Sequence, residues 1–212
     1  SLEKLLDGVR GTESFKKKSV AITFDDGYES TAIYAVPCLA GFGFPAAVFI
    51  VAGHVGGANI WDMEKGLEKA SLMDWGTLQK NRKKGITVGS HGLTHRRLSE
   101  LDSENMSREL RESHHVIQET LDTAVDLICY PYGAYNQDVI LEAESAGYRG
   151  GCCNIFGRNL PGGEPYQLRR IRVEYKDTPW SLWAKIQMSS WYEAYRLLRS
   201  RLIRLRHCDI YR

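Results

Sequence analysis

Two adjacent carboxylates, Asp25 and Asp26, and two imidazoles four residues apart, His91 and His95, are the groups whose types and spacing suit chemistry. The aspartates end the apolar run Val20-Ala21-Ile22-Thr23-Phe24 and precede Gly27, so a buried strand delivers both to a sharp turn. Successive strand residues point to opposite faces, and two like charges side by side resist joint ionisation unless a cation or a donor network separates their roles. Alone, Thr23-Phe24-Asp25-Asp26-Gly27 reads first as a solvated turn. The histidines change that reading. In Ser90-His91-Gly92-Leu93-Thr94-His95 they leave a second apolar run, Ile86-Thr87-Val88-Gly89-Ser90, at its exit. Two imidazoles and a carboxylate form a common catalytic zinc set that leaves a coordination position for water.

These pairs meet only if the strands that end in them share a rim. After the first strand, Tyr28 to Leu39 has a helical pattern broken by Pro37, and Pro45 to Val51 reads as a second buried strand, completing a β-α-β unit. Residues 53–73 are a glycine-rich excursion with His54 and Trp61, too long for an ordinary connection and so a substrate-side loop. Asp74 caps a helix to Lys84, the strand 86–90 follows, and a helix is expected from Ser103 to Leu121. Its apolar stripe is Met106, Leu110, Ile117 and Leu121, with His114 packed beside it. Val125 to Cys129 is a strand, Tyr130 to Gly133 a turn, Gln137 to Ala146 a helix, and Tyr148–Cys153 and Leu168–Val173 are short strands. This alternation predicts an α/β fold with a parallel sheet and helices outside it, of which seven or eight units close as a barrel. The carboxyl ends of parallel strands share one rim, where ligands bind.

The flanks differ. Residues 2–19 read as a short amphipathic helix and polar turn, with Leu2, Leu5 and Leu6 on one side. Thr178-Pro179 starts a C-terminal helix over about 178–207, with Trp191, Tyr195, Leu198, Leu202 and Leu205 on one face and Arg196, Arg199, Arg204 and Arg206 on the other. Packing against the barrel is the first reading of that helix, and peripheral contact with an anionic membrane the second.

Composition narrows the classes. A chain of 212 residues with 43% hydrophobic content buries a substantial core, as one domain over 1–212. A formal net charge of +2, without basic runs interleaved with aromatics, speaks against nucleic acid. The longest apolar stretch, Pro45 to Ala52, is far short of the roughly 20 residues of a transmembrane helix. Cys38, Cys129, Cys152, Cys153 and Cys208 are odd in number and lack CxxC spacing, so reduced and mostly buried thiols are expected. Reduced thiols favour a cytoplasmic compartment, while a chain that starts at Ser1 without Met or a signal peptide leaves the compartment open.

From Val20 to about Val173 the chain resembles the polysaccharide deacetylases of carbohydrate esterase family 4. The resemblance rests on Thr23-Phe24-Asp25-Asp26-Gly27, on Ser90-His91-Gly92-Leu93-Thr94-His95 and on Pro131-Tyr132-Gly133. It implies an irregular, incomplete (β/α) barrel, seven-stranded and TIM-like, with a divalent ion, Zn²⁺ or a metal such as Co²⁺ or Ni²⁺, on Asp26, His91 and His95. By the same resemblance Asp25 is the catalytic base and the Tyr132 backbone N–H helps form an oxyanion site. Cys129 stands where many members carry an arginine, for which Arg170 on a neighbouring strand is a candidate replacement, a surface or structural arginine being the other reading. Asp177 and Trp180 loosely echo a fourth motif. Leu205-Arg206-His207 carries the letters of the general-acid motif at the end of the arginine-rich helix, making His207 a candidate acid. Pro131, Tyr132 and Trp61 are candidate sugar contacts. The implied partner is an N-acetylated oligo- or polysaccharide, with the exopolysaccharide and poly-N-acetylglucosamine branch favoured, and the resemblance admits the cell envelope as compartment. A small or lipid-linked amide substrate and a catalytically weak glycan-binding protein are the other readings; oligomeric state is left open.

Overall fold

The computed structural model describes residues 1–14 and 19–187. It divides into two units, one of residues 1–153 and 160–168 and the other of 154–159 and the described residues from 169 on. The sheet comprises β1 (Ile22–Phe24), β2 (Ala46–Ile50), β3 (Ile86–Ser90), β4 (Leu127–Cys129), β5 (Gly150–Phe156) and β6 (Leu168–Arg170), neighbouring one another in chain order. Every pair from β1 to β5 is parallel. This is the order of an incomplete barrel.

The sheet has six strands among the described residues, not the expected seven. Beyond β6 the backbone turns back on itself, Asp177 N–H donating to the Glu174 carbonyl at 2.9 Å. Pro179 then opens α7 (Pro179–Gln187), where a ring-fixed φ and a missing N–H suit a first helical turn. Asp177 accepts from Ser181 Oγ at 2.9 Å and Lys185 Nζ at 2.7 Å, so it braces the start of that helix. The remainder of the expected C-terminal helix, with its arginines and His207, lies outside the described residues.

Strand alternation explains the two larger of the three apolar clusters among the described residues. Ala46, Val48 and Ile50 of β2 face one cluster, which also contains Leu110, Ile117 and Leu121. Ala47 and Phe49 face the other, covered by Leu2, Leu6 and Val9 of α1 (Leu2–Arg10). With both faces covered, β2 reads as a continuous apolar run. The first helix stops at Arg10, where the expected polar turn begins, because Gly11 takes a left-handed cap at φ 76°. The helical segment after β1 passes through Pro37, since Pro37 falls in the first turn of α2 (Val36–Gly41).

α3 (Ile60–Met63) lies in the long excursion, and α4 (Trp75–Arg82) is capped by Asp74, whose Oδ1 accepts from Thr77 N at 2.6 Å. α5 (Ser103–Leu121) spans the expected range, capped by Asp102, with Met106, Leu110, Ile117 and Leu121 buried. It also buries Glu109 and Ser113. α6 (Gln137–Ser145) precedes β5. His114 is half-buried, its ring 4.9 Å from that of Tyr148, as a packing residue. Cys129, Cys152 and Cys153 are buried and Cys38 is exposed, and none of the four is in a disulfide. Among the described residues no helix is long and apolar enough to cross a membrane.

Gly27 anchors the turn after β1. Its φ is 78°, and a Cβ there would stand 3.0 Å from Ile50 Cγ2. Gly27→Ala is therefore expected to destabilise the fold by about 1–3 kcal/mol, read as a lower urea midpoint; an unchanged midpoint would contradict this packing.

Candidate metal centre and active site

Parallel pairing places Phe24 beside Val48 and Ser90 beside Ile50, so β1 and β3 flank β2 and end on one rim. There Asp26 Oδ1 stands 3.4 Å from His91 Nε2 and 3.2 Å from His95 Nε2. Ligands bound at about 2.0 Å in a tetrahedron are separated by roughly 3.3 Å, so these spacings match a zinc site. Oδ1 is buried and has no hydrogen-bond partner despite its two imidazole neighbours. A buried carboxylate oxygen left in that state is costly unless a cation completes it.

The electrostatics favour the same state. Burial pushes the Asp26 carboxyl up, but the nearby His91 and His95 imidazoles outweigh it and hold the group well below the usual carboxylate range. Burial lowers the His95 imidazole below its ordinary value, more than Asp26 raises it. An ionised carboxylate beside a neutral imidazole is what a metal requires. His91 Nδ1 lies 2.6 Å from the Cys129 carbonyl, which can only accept; Nδ1 therefore carries the proton and Nε2 presents its lone pair to Asp26. His95 Nδ1 is 3.1 Å from Tyr132 Oη.

The backbone is unusual at these same residues. Asp26, His95 and Tyr132 have φ values of 70°, 63° and 58°, and the other described non-glycine residue with positive φ is Asp122, which ends α5. Each such conformation costs on the order of 1–3 kcal/mol and persists only where its surroundings enforce it.

Asp25 belongs to a neighbouring cluster. Its carboxylate, a His91 ring nitrogen and Cys129 Sγ lie within 4.8 Å of one another, as do the ligand atoms of Asp26, His91 and His95. His91 thus sits between the two aspartates. Pro131 is buried and opens the tight turn after β4; Tyr132 follows in left-handed conformation, and among the described residues no partner takes up its backbone N–H. The Tyr132 hydroxyl accepts from Lys65 Nζ at 2.9 Å. Arg170 stands on β6 and donates to Asn154 Oδ1 at 2.8 Å.

The long excursion does reach this rim. Trp61 is buried, its indole stacked on His95 at 4.4 Å between centroids. Tyr28 Oη donates to Asp62 at 2.8 Å, and Asn59 ties the loop together by accepting from Ala70 N at 2.7 Å. Sequence reasoning missed Glu109, Lys65 and the Cys129 carbonyl. Glu109 had a signal: it lies three residues after Met106 and four before Ser113, on the buried stripe of α5.

A family model described as polysaccharide deacetylase matches residues 12–151. The Bacillus subtilis protein YxkH is 29% identical over 157 residues, 74% of this chain and 52% of its own length. The Staphylococcus aureus poly-β-1,6-N-acetyl-D-glucosamine N-deacetylase is 27% identical over 173 residues, 75% of this chain and 56% of that protein. The chain thus spans about half the length of these curated relatives. The Streptococcus pyogenes deacetylase PplD, solved in complex with acetate, superimposes with a TM-score of 0.76 at 21% identity, covering 88% of this chain and 78% of that one, a likeness of fold.

Proposed function

The chain belongs to the polysaccharide deacetylase family, and from that premise we propose that it is a metal-dependent hydrolase removing N-acetyl groups from an N-acetylated glycan. The observation that carries the metal dependence is the buried, unpartnered Asp26 Oδ1 with two imidazole Nε2 atoms converging on it. Asp26, His91 and His95 would hold the ion. A mixed nitrogen and oxygen set suits zinc first, with cobalt or nickel as substitutes. Such an ion lowers the pKa of a water to roughly 7 and polarises an amide carbonyl.

This chain's own groups do the rest. Asp25 takes a proton from the attacking water at its carboxylate, as a base next to but outside the ligand set. The Tyr132 N–H donates to the oxygen that becomes negative as the carbonyl carbon turns tetrahedral. The C–N bond then breaks, the amine leaves with a proton returned from Asp25, and acetate remains, so water and acetamide balance amine and acetate. His207 as a separate acid lies outside the described residues.

The substrate favoured is a β-1,6-linked N-acetylglucosamine polymer, supported by the name of the staphylococcal relative. Acetate release from β-1,6-linked oligomers, β-1,4-linked oligomers and simple acetamides tests this. Faster release from the β-1,6 series is expected. Release from acetamides alone would move the assignment to a small amide, and glycan binding without release from metal-loaded protein would make it a binding protein.

A further inference from the structure

Glu109 is a carboxylate only 4% exposed, on a helix whose neighbouring inward residues are apolar or hydroxylic. Among the described residues no cation pairs with it. Its partners are all in the loop between the two histidines: Oε2 accepts from Leu93 N at 2.8 Å and Thr94 N at 2.9 Å, and Oε1 from Thr94 Oγ1. Burying an ionised carboxylate without a counter-charge is costly, and donors aimed at both oxygens offset that cost. The approach demands glycine at 92, where φ is +79° and a Cβ would stand 3.2 Å from Oε2.

The opposite edge of the same loop is also held. Ala52 N donates to the Gly92 carbonyl at 3.0 Å and Gly53 N to the Leu93 carbonyl at 2.8 Å. The segment between His91 and His95 is thus gripped through its N–H groups by Glu109 and through its carbonyls by the turn after β2. Its last residue, His95, is forced left-handed and aims Nε2 at Asp26. Trp61 and Tyr132 orient the ring, but neither bonds the loop backbone.

We propose that Glu109 is a positioning residue for the metal site: by fixing the backbone of residues 93 and 94 it sets the separation of His91 and His95. The inference rests on the metal-dependent reading of Asp26, His91 and His95. Partners of metal ligands typically govern affinity by about 10–100-fold, and Glu109 acts at one further remove, through the backbone.

The test titrates Zn²⁺ into chelator-treated protein by competition with a chromophoric chelator and measures urea unfolding of the same apo samples. Glu109→Ala orphans two buried N–H groups and is expected to weaken zinc binding about 10–100-fold. Glu109→Gln can accept both N–H bonds with its oxygen and donate to Thr94 Oγ1 with its amide, and is expected to stay within a few-fold of wild type. Ile117→Ala, a core truncation on the same helix, should lower the urea midpoint with zinc affinity unchanged. Glu109→Ala that loses stability but keeps wild-type zinc affinity would overturn the inference alone, as would Ile117→Ala weakening zinc equally. Wild type that binds no zinc would overturn the metal-dependent reading and the inference with it.

Discussion

Asp25→Asn is expected to lower acetate release by about 10²–10⁴-fold and to leave zinc stoichiometry unchanged. The amide preserves the size and most contacts of the carboxylate but cannot take a proton from water. The split between activity and metal content is diagnostic, because Asp25 clusters with His91 and Cys129 whereas Asp26 clusters with His91 and His95. If the substitution strips the metal as well, the ion belongs to the Asp25, His91 and Cys129 set and the roles of the two aspartates must be exchanged. Parallel measurement of bound zinc and initial rate on one preparation separates these outcomes.

His95→Ala has the other large effect, in the opposite pattern. It removes one of three converging ligand atoms and leaves Asp26 Oδ1 with the single imidazole at 3.4 Å. Zinc is expected to be lost on dialysis. With it goes a contribution of several kcal/mol to charge stabilisation, which corresponds to about 10³-fold or more in rate. The fold should survive, since the strands, α5 and the two larger apolar clusters do not depend on that ring. A variant that retains stoichiometric zinc and wild-type turnover would remove His95 from the ligand set.

Much of this site was legible because its residues follow strands. β3 came out at Ile86–Ser90 and α5 at Ser103–Leu121, as apolar spacing required, and the histidines follow the former directly. The rim could be inferred from parallel pairing alone. The seventh strand could not: the count came from family resemblance, while Pro179 and the Asp177 contacts turn the chain into a helix. Glu109 was hidden among Arg108, Arg111 and Glu112, where a glutamate on a long helix reads as solvated surface. Only the coincidence of its position with the Met106 and Ser113 stripe marks it as buried. Trp61 was read as a sugar contact because it lies on a long loop; its place against His95 depends on that loop folding back through the Ala58–Ser71 and Tyr28–Leu72 bridges, which have no local sequence signal.

The central claim is that Asp26, His91 and His95 bind the metal on which deacetylation depends. Its most direct test follows acetate release from N-acetylglucosamine oligomers by protein as purified, after chelation, and after addition of Zn²⁺ with excess chelator removed. Metal-dependent catalysis predicts activity in the first sample, its loss in the second and its return in the third, in proportion to zinc bound. Acetate release that continues undiminished from protein shown to be free of metal would contradict it.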